Sequence, residues 1–183
     1  MSAATRVFAR KGFHSARVAD IASEAGVAHG LIYHYFTSKD ELLDTILHET
    51  WHALVEQTTR IEASGAPLEH QLARFAHVYL RSWLESPDLI LVLVREVGRS
   101  PEVDNRAGEL SEVFALLTRM IEFARDRGEV RADCEPRLAA WTFYGALEEI
   151  LTGWVLGLLP GGAEDVERSA RSVVEVTCRG LAP

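Results

Sequence analysis

The chain is poor in cysteine. Of 183 residues only Cys134 and Cys178 carry thiols. Neither has neighbours at a zinc-ligand spacing, so both read as isolated core or surface thiols, and no disulfide framework or metal site is indicated. Long apolar runs are also missing: the longest, Leu89 to Val94, falls far short of the ~20 residues of a membrane span. Arg6, Arg10, Lys11 and His14 interrupt the start before any apolar run can build, which speaks against a signal peptide and leads to the expectation of a soluble cytoplasmic protein without a membrane role. No stretch alternates with period two over a strand's length, and no internal repeat appears. Ser15, Ser23 and Ser38 lie in no Gly-x-Ser-x-Gly elbow, and no Gly-rich phosphate loop follows a strand. The usual signatures of nucleophilic and nucleotide-dependent enzymes are therefore absent, and no cofactor is expected.

What is present is ample apolar material, 48% of the chain, and a net charge of -8 that is unevenly spread. Residues 1–39 carry Arg6, Arg10, Lys11, Arg17 and Lys39 against Asp20 and Glu24, a local balance of +3 with three histidines besides. The remainder holds 14 basic and 25 acidic residues, hence -11. Because phosphate affinity follows the local field, an acidic body is compatible with a basic, nucleic-acid-binding tip.

Apolar spacing places helices along the whole chain. The first covers Ala3 to Lys11 and stops at Gly12. Ser38 and Glu41 form a capping box that opens a long helix to about Ala63, ended by Ser64-Gly65-Ala66-Pro67. Further helices are expected over Leu68–Glu85, Leu89–Arg99, Val103–Arg127, Pro136–Leu159 and Ala163–Leu181. Val130 to Ala132 reads as a loop. The fold class is all-α with about nine helices.

The stretch from Val18 to Phe36 organises the rest. Val18, Ile21, Ala22 and Ala25 fall at helical spacing, Gly26 frees the backbone to end that helix, and Ile32 and Phe36 supply the inward face of a second. Two short helices around a tight turn form a helix-turn-helix, in which the second helix offers its outer face to base edges. That face carries Ala28, His29, Leu31, Tyr33 and His34. It holds neither Arg nor Asn for bidentate base contacts, so specificity should lean on DNA shape and half-site spacing.

These residues resemble the TetR family of bacterial transcriptional repressors. The likeness covers the first 50 residues and rests on Ala4/Phe8, Gly12/Phe13, Val18/Ile21/Ala22/Ala25/Gly26/Val27, Gly30/Tyr33/Tyr35/Phe36 and Lys39/Leu42. It implies a DNA-binding domain at residues 1–45 and a ligand-binding and dimerisation domain at residues 46–183. It further implies a palindromic double-stranded operator and a homodimer joined through a four-helix bundle of the last two helices, with a ligand cavity among the middle helices. Gly128 to Ala139, Phe143 to Glu149 with Trp154, and Leu93 to Ser100 resemble the family's acyl-CoA-responsive repressors of fatty-acid degradation. The implied effector is a small hydrophobic molecule of the acyl-CoA type.

By the same resemblance Tyr33, Tyr35 and Lys39 are phosphate anchors. The first helix is short of a turn or two and of the basic arm that usually precedes it, which implies a shortened N-terminus. Ala16-Arg17 stands where the family often has hydroxyl residues, so Arg17 becomes the substitute phosphate contact. Leu31 replaces a common Thr and favours a thymine methyl. Gly30 allows either close approach to DNA or tight helix packing.

Phe75, Tyr79, Trp83, Leu91, Leu93, Phe114, Leu117, Met120, Phe143 and Leu147 are core residues by default, from which a regulator would draw its cavity walls. Arg95 and Arg99 are the candidate cations for CoA phosphates, or partners for Glu96 and Glu102. His48/His52 and His70/His77 have spacings seen in metal sites but no third ligand, and read as surface residues. Glu148 and Glu149, in the most apolar helix, suggest acid/base work or a dimer-interface pairing with Arg137 or Arg171, and the latter is preferred. Two other functions stay open on the residues alone: a helical acyl-CoA-binding enzyme, and a dimeric interaction module that does not bind DNA.

Overall fold

The computed structural model describes residues 1–96 and 103–183, and every regular element among them is a helix. In chain order these are α1 (Ser2–Lys11), α2 (Val18–Ala25), α3 (His29–Tyr35), α4 (Lys39–Glu62), α5 (Leu68–Glu85), α6 (Pro87–Glu96), α7 (Val103–Asp126), α8 (Pro136–Val155) and α9 (Ala163–Leu181). Residues 130–132 lie in a turn region whose Arg131 N–H donates to the Leu181 carbonyl at 2.9 Å, tying the α7–α8 connection to the end of α9.

The N-terminal three helices fold around Val7, Phe8, Phe13, Ala16, Ile21 and Ala22, all buried. Gly26 takes the left-handed conformation at φ 67°, ψ 30°. That lets its own N–H reach Ser23 O at 3.2 Å and the Val27 N–H reach Ala22 O at 3.0 Å, closing α2 in a Schellman turn and sending the chain sharply into α3. Ser38 caps α4 by accepting from the Glu41 N–H at 3.0 Å. Glu41 reaches back one residue further than the capping box predicts, accepting from both the amide and the hydroxyl of Thr37 at 2.6 Å. Helix α4 then runs unbroken through residues 45 and 46, joining the tip to the trunk mechanically.

In the trunk, α5 is central, because Leu72, Phe75, Ala76 and Leu80 are fully enclosed and the helix packs against α4, α6, α7, α8 and α9. Its N-terminus has Pro67 as cap, which offers no side-chain acceptor. The Glu129 carboxylate supplies one instead, accepting the Leu68 N–H at 2.8 Å while paired to Arg127. Arg119 on α7 forks onto Glu62 on α4 at 2.6 and 3.0 Å.

Helix α8 ends four residues earlier than the apolar pattern predicts. Gly157 adopts φ 68°, so the Leu158 N–H returns to Gly153 O at 2.8 Å and the Gly157 N–H to Trp154 O at 3.0 Å. Leu159 then folds back over Gly153, where a Cβ would meet its Cδ1 at 2.8 Å. Beyond Val155 the run leaves the helix, and Leu156 and Leu158 are exposed although apolar.

Phe75 stacks on Tyr79 with centroids 5.8 Å apart and tilts against Phe143 at 5.9 Å. Replacing it with Ala leaves an enclosed void, and we expect Phe75→Ala to cost about 3–5 kcal/mol in urea unfolding. A loss below about 1 kcal/mol would mean that α5 is not the centre of the trunk.

Candidate nucleic-acid interface and internal cavity

The tip is clamped before it is presented. Arg6 Nε lies 2.8 Å from Glu24 Oε1, Arg10 NH2 3.2 Å from Glu24 Oε2, and Lys11 Nζ 2.8 Å from Asp20 Oδ1. These pairs join α1 to α2 and occupy three of the five cations counted in residues 1–39. Lys39 is held as well: its ammonium donates to the carbonyls of Phe13, His14 and Ala16 at 2.8, 3.1 and 3.3 Å and stands 4.5 Å over the Phe13 ring. The residue expected to anchor phosphate is therefore engaged in fastening the start of α4 to the α1–α2 loop. Its three N–H groups are matched to three oxygens, a commitment that no sequence pattern announces.

What the tip exposes is α3, which buries none of its residues. Ile32 and Phe36 turn partly inward against the core, while Leu31, Tyr33 and Tyr35 are 44%, 51% and 68% exposed. His29 meets the Tyr33 ring edge-on at 5.1 Å, and His34 meets Tyr35 at 5.2 Å. Ala28 is the N-cap of α3 in extended conformation, and Arg17, exposed, is the N-cap of α2. A Cβ on Gly30 would meet nothing within 4 Å, so its small size answers no packing need within the chain. Arg17, Ala28, His29, Gly30, Leu31, Tyr33, His34 and Tyr35 all lie on the exposed surface.

Between tip and trunk lies a cavity of about 1160 Å³, bordered by α1, α4, α5, α6, α7 and α8. Of the residues expected to line it, Tyr79, Leu93 and Phe114 do. Phe75, Leu117, Met120, Phe143 and Leu147 are instead enclosed in the core. Trp83 donates its indole N–H to Gly161 O at 3.0 Å, and Leu91 packs against the core. Arg95 donates to Ala9 O at 3.3 Å, linking α6 to α1, and does not border the cavity. Arg99 lies outside the described residues. Apolar core and apolar wall have the same composition, so the choice between them had no sequence signal.

The walls that were missed had one. Trp141, Tyr144, Gly145, Glu148 and Leu151 border the cavity along one face of α8, at the helical spacing i, i+3, i+4, i+7, i+10. Trp51 and Leu54 of α4 border it too, with Leu89 of α6. Trp141 stacks on Phe114 with centroids 3.9 Å apart and planes 7° from parallel. Glu148, expected to pair with Arg137 or Arg171 at a dimer interface, accepts a hydrogen bond from the Tyr79 hydroxyl, which in turn lies 3.0 Å from that of Tyr144. Burial, with the nearby Glu148 charge, pushes both phenols well above the usual range, so both stay protonated.

Among the described residues no three His, Cys, Asp or Glu side chains gather as a metal site. His48 and His52 rings lie 6.1 Å apart, and His77 Nδ1 is 3.2 Å from Glu167 on α9. Burial raises both thiols, Cys134 and Cys178, away from reactivity. Among the described residues no helix is long and apolar enough to cross a membrane.

Residues 1–46 match the model of the bacterial regulatory proteins of the TetR family. The whole chain is similar to the fatty acid metabolism regulator protein of Bacillus subtilis, 26% identical over 99% of this chain and 93% of that protein. It is also similar to the transcriptional repressor KstR2 of Rhodococcus jostii, 27% identical over 98% and 87%. Among solved structures, the transcriptional regulator FadR of Bacillus subtilis in complex with stearoyl-CoA superposes with a TM-score of 0.84 at 25% identity, covering 98% of this chain and 96% of that one.

Arg6, then Arg10, holds the Glu24 carboxyl below its ordinary range, as Lys11 and then the Arg17 N–H do for Asp20. Groups whose folded pKa is depressed stabilise above the ordinary carboxylate range and lose that contribution as pH falls through the lowered values. Amide protection in α2 and α3, taken relative to the free-peptide exchange rate at each pH, is therefore expected to fall below about pH 4 before that of α5, and Glu24→Gln should show the lowered protection already at neutral pH. Equal exchange in the variant and the parent at pH 7 would show the clamp to be idle.

Proposed function

We propose that the chain is a ligand-responsive transcriptional repressor of the TetR family, whose model its residues 1–46 match, and that it holds a palindromic operator as a homodimer and releases it when a small hydrophobic effector of the acyl-CoA class fills the cavity. The observation that carries this reading is the position of α1. Thr5 and Arg6 border the cavity, and the same Arg6 is ion-paired to Glu24 of the helix-turn-helix. An occupant of the cavity therefore touches the helix that seats the DNA-reading unit. The stearoyl-CoA held by the similar Bacillus subtilis regulator supports the ligand class. The aromatic and aliphatic walls suit an acyl chain.

On DNA, residues 1–45 act as the reading domain, and 46–183 as the domain that binds ligand and pairs. Tyr33, Tyr35 and Arg17 take phosphates, His29 and His34 donate to bases or phosphates, Leu31 meets a thymine methyl, and Ala28 and Gly30 let the backbone come close. Lys39 acts by holding the α1–α2 loop that carries Arg17. Two such tips must stand about one helical turn apart, ~34–36 Å, to enter successive major grooves. The exposed Leu138 of α8 and Val176 of α9 are apolar positions for the partner subunit to cover. An effector lowers operator affinity by preferring an arrangement with another tip spacing, and its leverage is limited to that difference in affinity. This role requires no turnover and no cofactor.

Tyr33→Phe and Arg17→Ala are each expected to weaken binding to operator and random duplex alike. Arg17→Ala should also flatten the dependence of log affinity on log salt by about 0.9, the share of one neutralised phosphate, whereas Tyr33→Phe, which removes an uncharged donor, should leave that slope as it is. Titration with stearoyl-CoA should release the operator from the parent protein. An unchanged salt slope in Arg17→Ala and an unchanged affinity in Tyr33→Phe would remove the assigned contacts, and acyl-CoAs of several chain lengths giving neither release nor heat would remove the effector class.

A further inference from the structure

The polar groups on the cavity wall have a direction. Tyr79 has one hydroxyl proton, and it goes to the Glu148 carboxylate. The Tyr79 oxygen is then available only as an acceptor, so the 3.0 Å contact with Tyr144 must have Tyr144 as its donor. The chain of hydrogen bonds runs one way: Tyr144 O–H to Tyr79 O, and Tyr79 O–H to Glu148. Every proton in the network points along the network. What remains at its two ends, on residues that both border the cavity, is acceptor capacity: the lone pairs of the Tyr144 oxygen and the second oxygen of Glu148.

An effector without a polar group in its apolar body leaves those acceptors facing hydrocarbon. Covering such groups without a hydrogen bond is costly, more so for a charged one. An ether, ketone or ester oxygen placed there would oppose oxygen with oxygen. A hydrogen-bond donor satisfies them.

We propose that the cavity is built for an effector whose apolar body carries a hydrogen-bond donor, a hydroxyl or amine, seated between Tyr144 and Glu148. The inference rests on the reading of this cavity as the effector site and narrows it: within the acyl-CoA class it selects chains hydroxylated along their length over saturated ones. The raised pKa values of both phenols, caused by burial, keep the network in the protonation state the direction requires.

The test uses the full chain and isothermal calorimetry with three twelve-carbon probes: dodecan-1-ol, dodecylamine, and dodecyl methyl ether, which lacks a donor. Stearoyl-CoA and a 3-hydroxyacyl-CoA of the same length form a second pair, read by operator release. The alcohol should bind at least about tenfold more tightly than the ether, one hydrogen bond to a charged acceptor, and the hydroxyacyl thioester should release operator at lower concentration than the saturated one. The amine separates the two donor sources: amine above alcohol identifies a cationic donor, alcohol above amine a neutral one. Glu148→Gln still accepts from Tyr79 through its amide oxygen but offers the cavity an N–H in place of an oxygen, so the alcohol's advantage over the ether should vanish or invert. Equal binding of alcohol and ether by the parent protein overturns the inference while leaving an acyl-CoA effector in place. Failure of every probe and both thioesters overturns the effector cavity itself. If Glu148→Gln does not fold, by circular dichroism, the parent's alcohol-to-ether ratio decides alone.

Discussion

One short helix has to satisfy two neighbours at once. α1 presents Arg6, Arg10 and Lys11 to the carboxylates of α2 while its Ala9 carbonyl takes Arg95 from α6. Without the first set of contacts the DNA-reading unit would be loosely attached. Without the second, α4 alone would be left to tie it to the trunk. The ion pairs are half exposed, so each is weak alone and screened by salt, and their value lies in fixing geometry. A clamp of modest strength suits a regulator, since differences of a few kcal/mol between states are all that a ligand can shift.

The cavity imposes the opposite requirement. Its walls are mainly aromatic and aliphatic, and the one hydrogen-bonded string on them, Tyr144 to Tyr79 to Glu148, is drawn from helices α5 and α8. Such a string is expensive to leave half satisfied, so it acts as a filter on what enters. The aromatic pair Phe114 and Trp141 forms a flat wall beside it, and Phe114 also tilts against Tyr144 at 4.8 Å. Shape and polarity are therefore set by the same few side chains.

The helix-turn-helix was legible because its constraints are local. Gly26 must be glycine-like for the turn, Ile21 and Ala22 must face inward, and Ser38 must cap α4, each readable within a few residues. The exposed face of α3 followed from the same periodicity. The trunk was legible as helices but not as a container. Phe75 and Tyr79 lie four apart on one helix, yet one is core and the other wall, because the difference is made by which distant helix stands opposite. Lys39 was assigned to phosphate by resemblance and Arg95 by its charge, but backbone carbonyls 26 and 86 residues away hold them. Glu148 was sent to a dimer interface to pair with Arg137 or Arg171, and its partner is a tyrosine on another helix of the same chain.

The contact between Trp83 and Gly161 has a consequence for motion. A Cβ on Gly161 would fall 2.8 Å from the indole nitrogen and 3.1 Å from the Trp154 ring, and the indole N–H is bonded to the Gly161 carbonyl. The hairpin between α8 and α9 is thereby riveted to the far end of α5, with the two tryptophan rings 6.3 Å apart beneath it. Any rearrangement that keeps this rivet carries the three helices as one block. The block is the anvil of the device, and displacement is left to the lighter parts that lean on it, α1, α4 and α6.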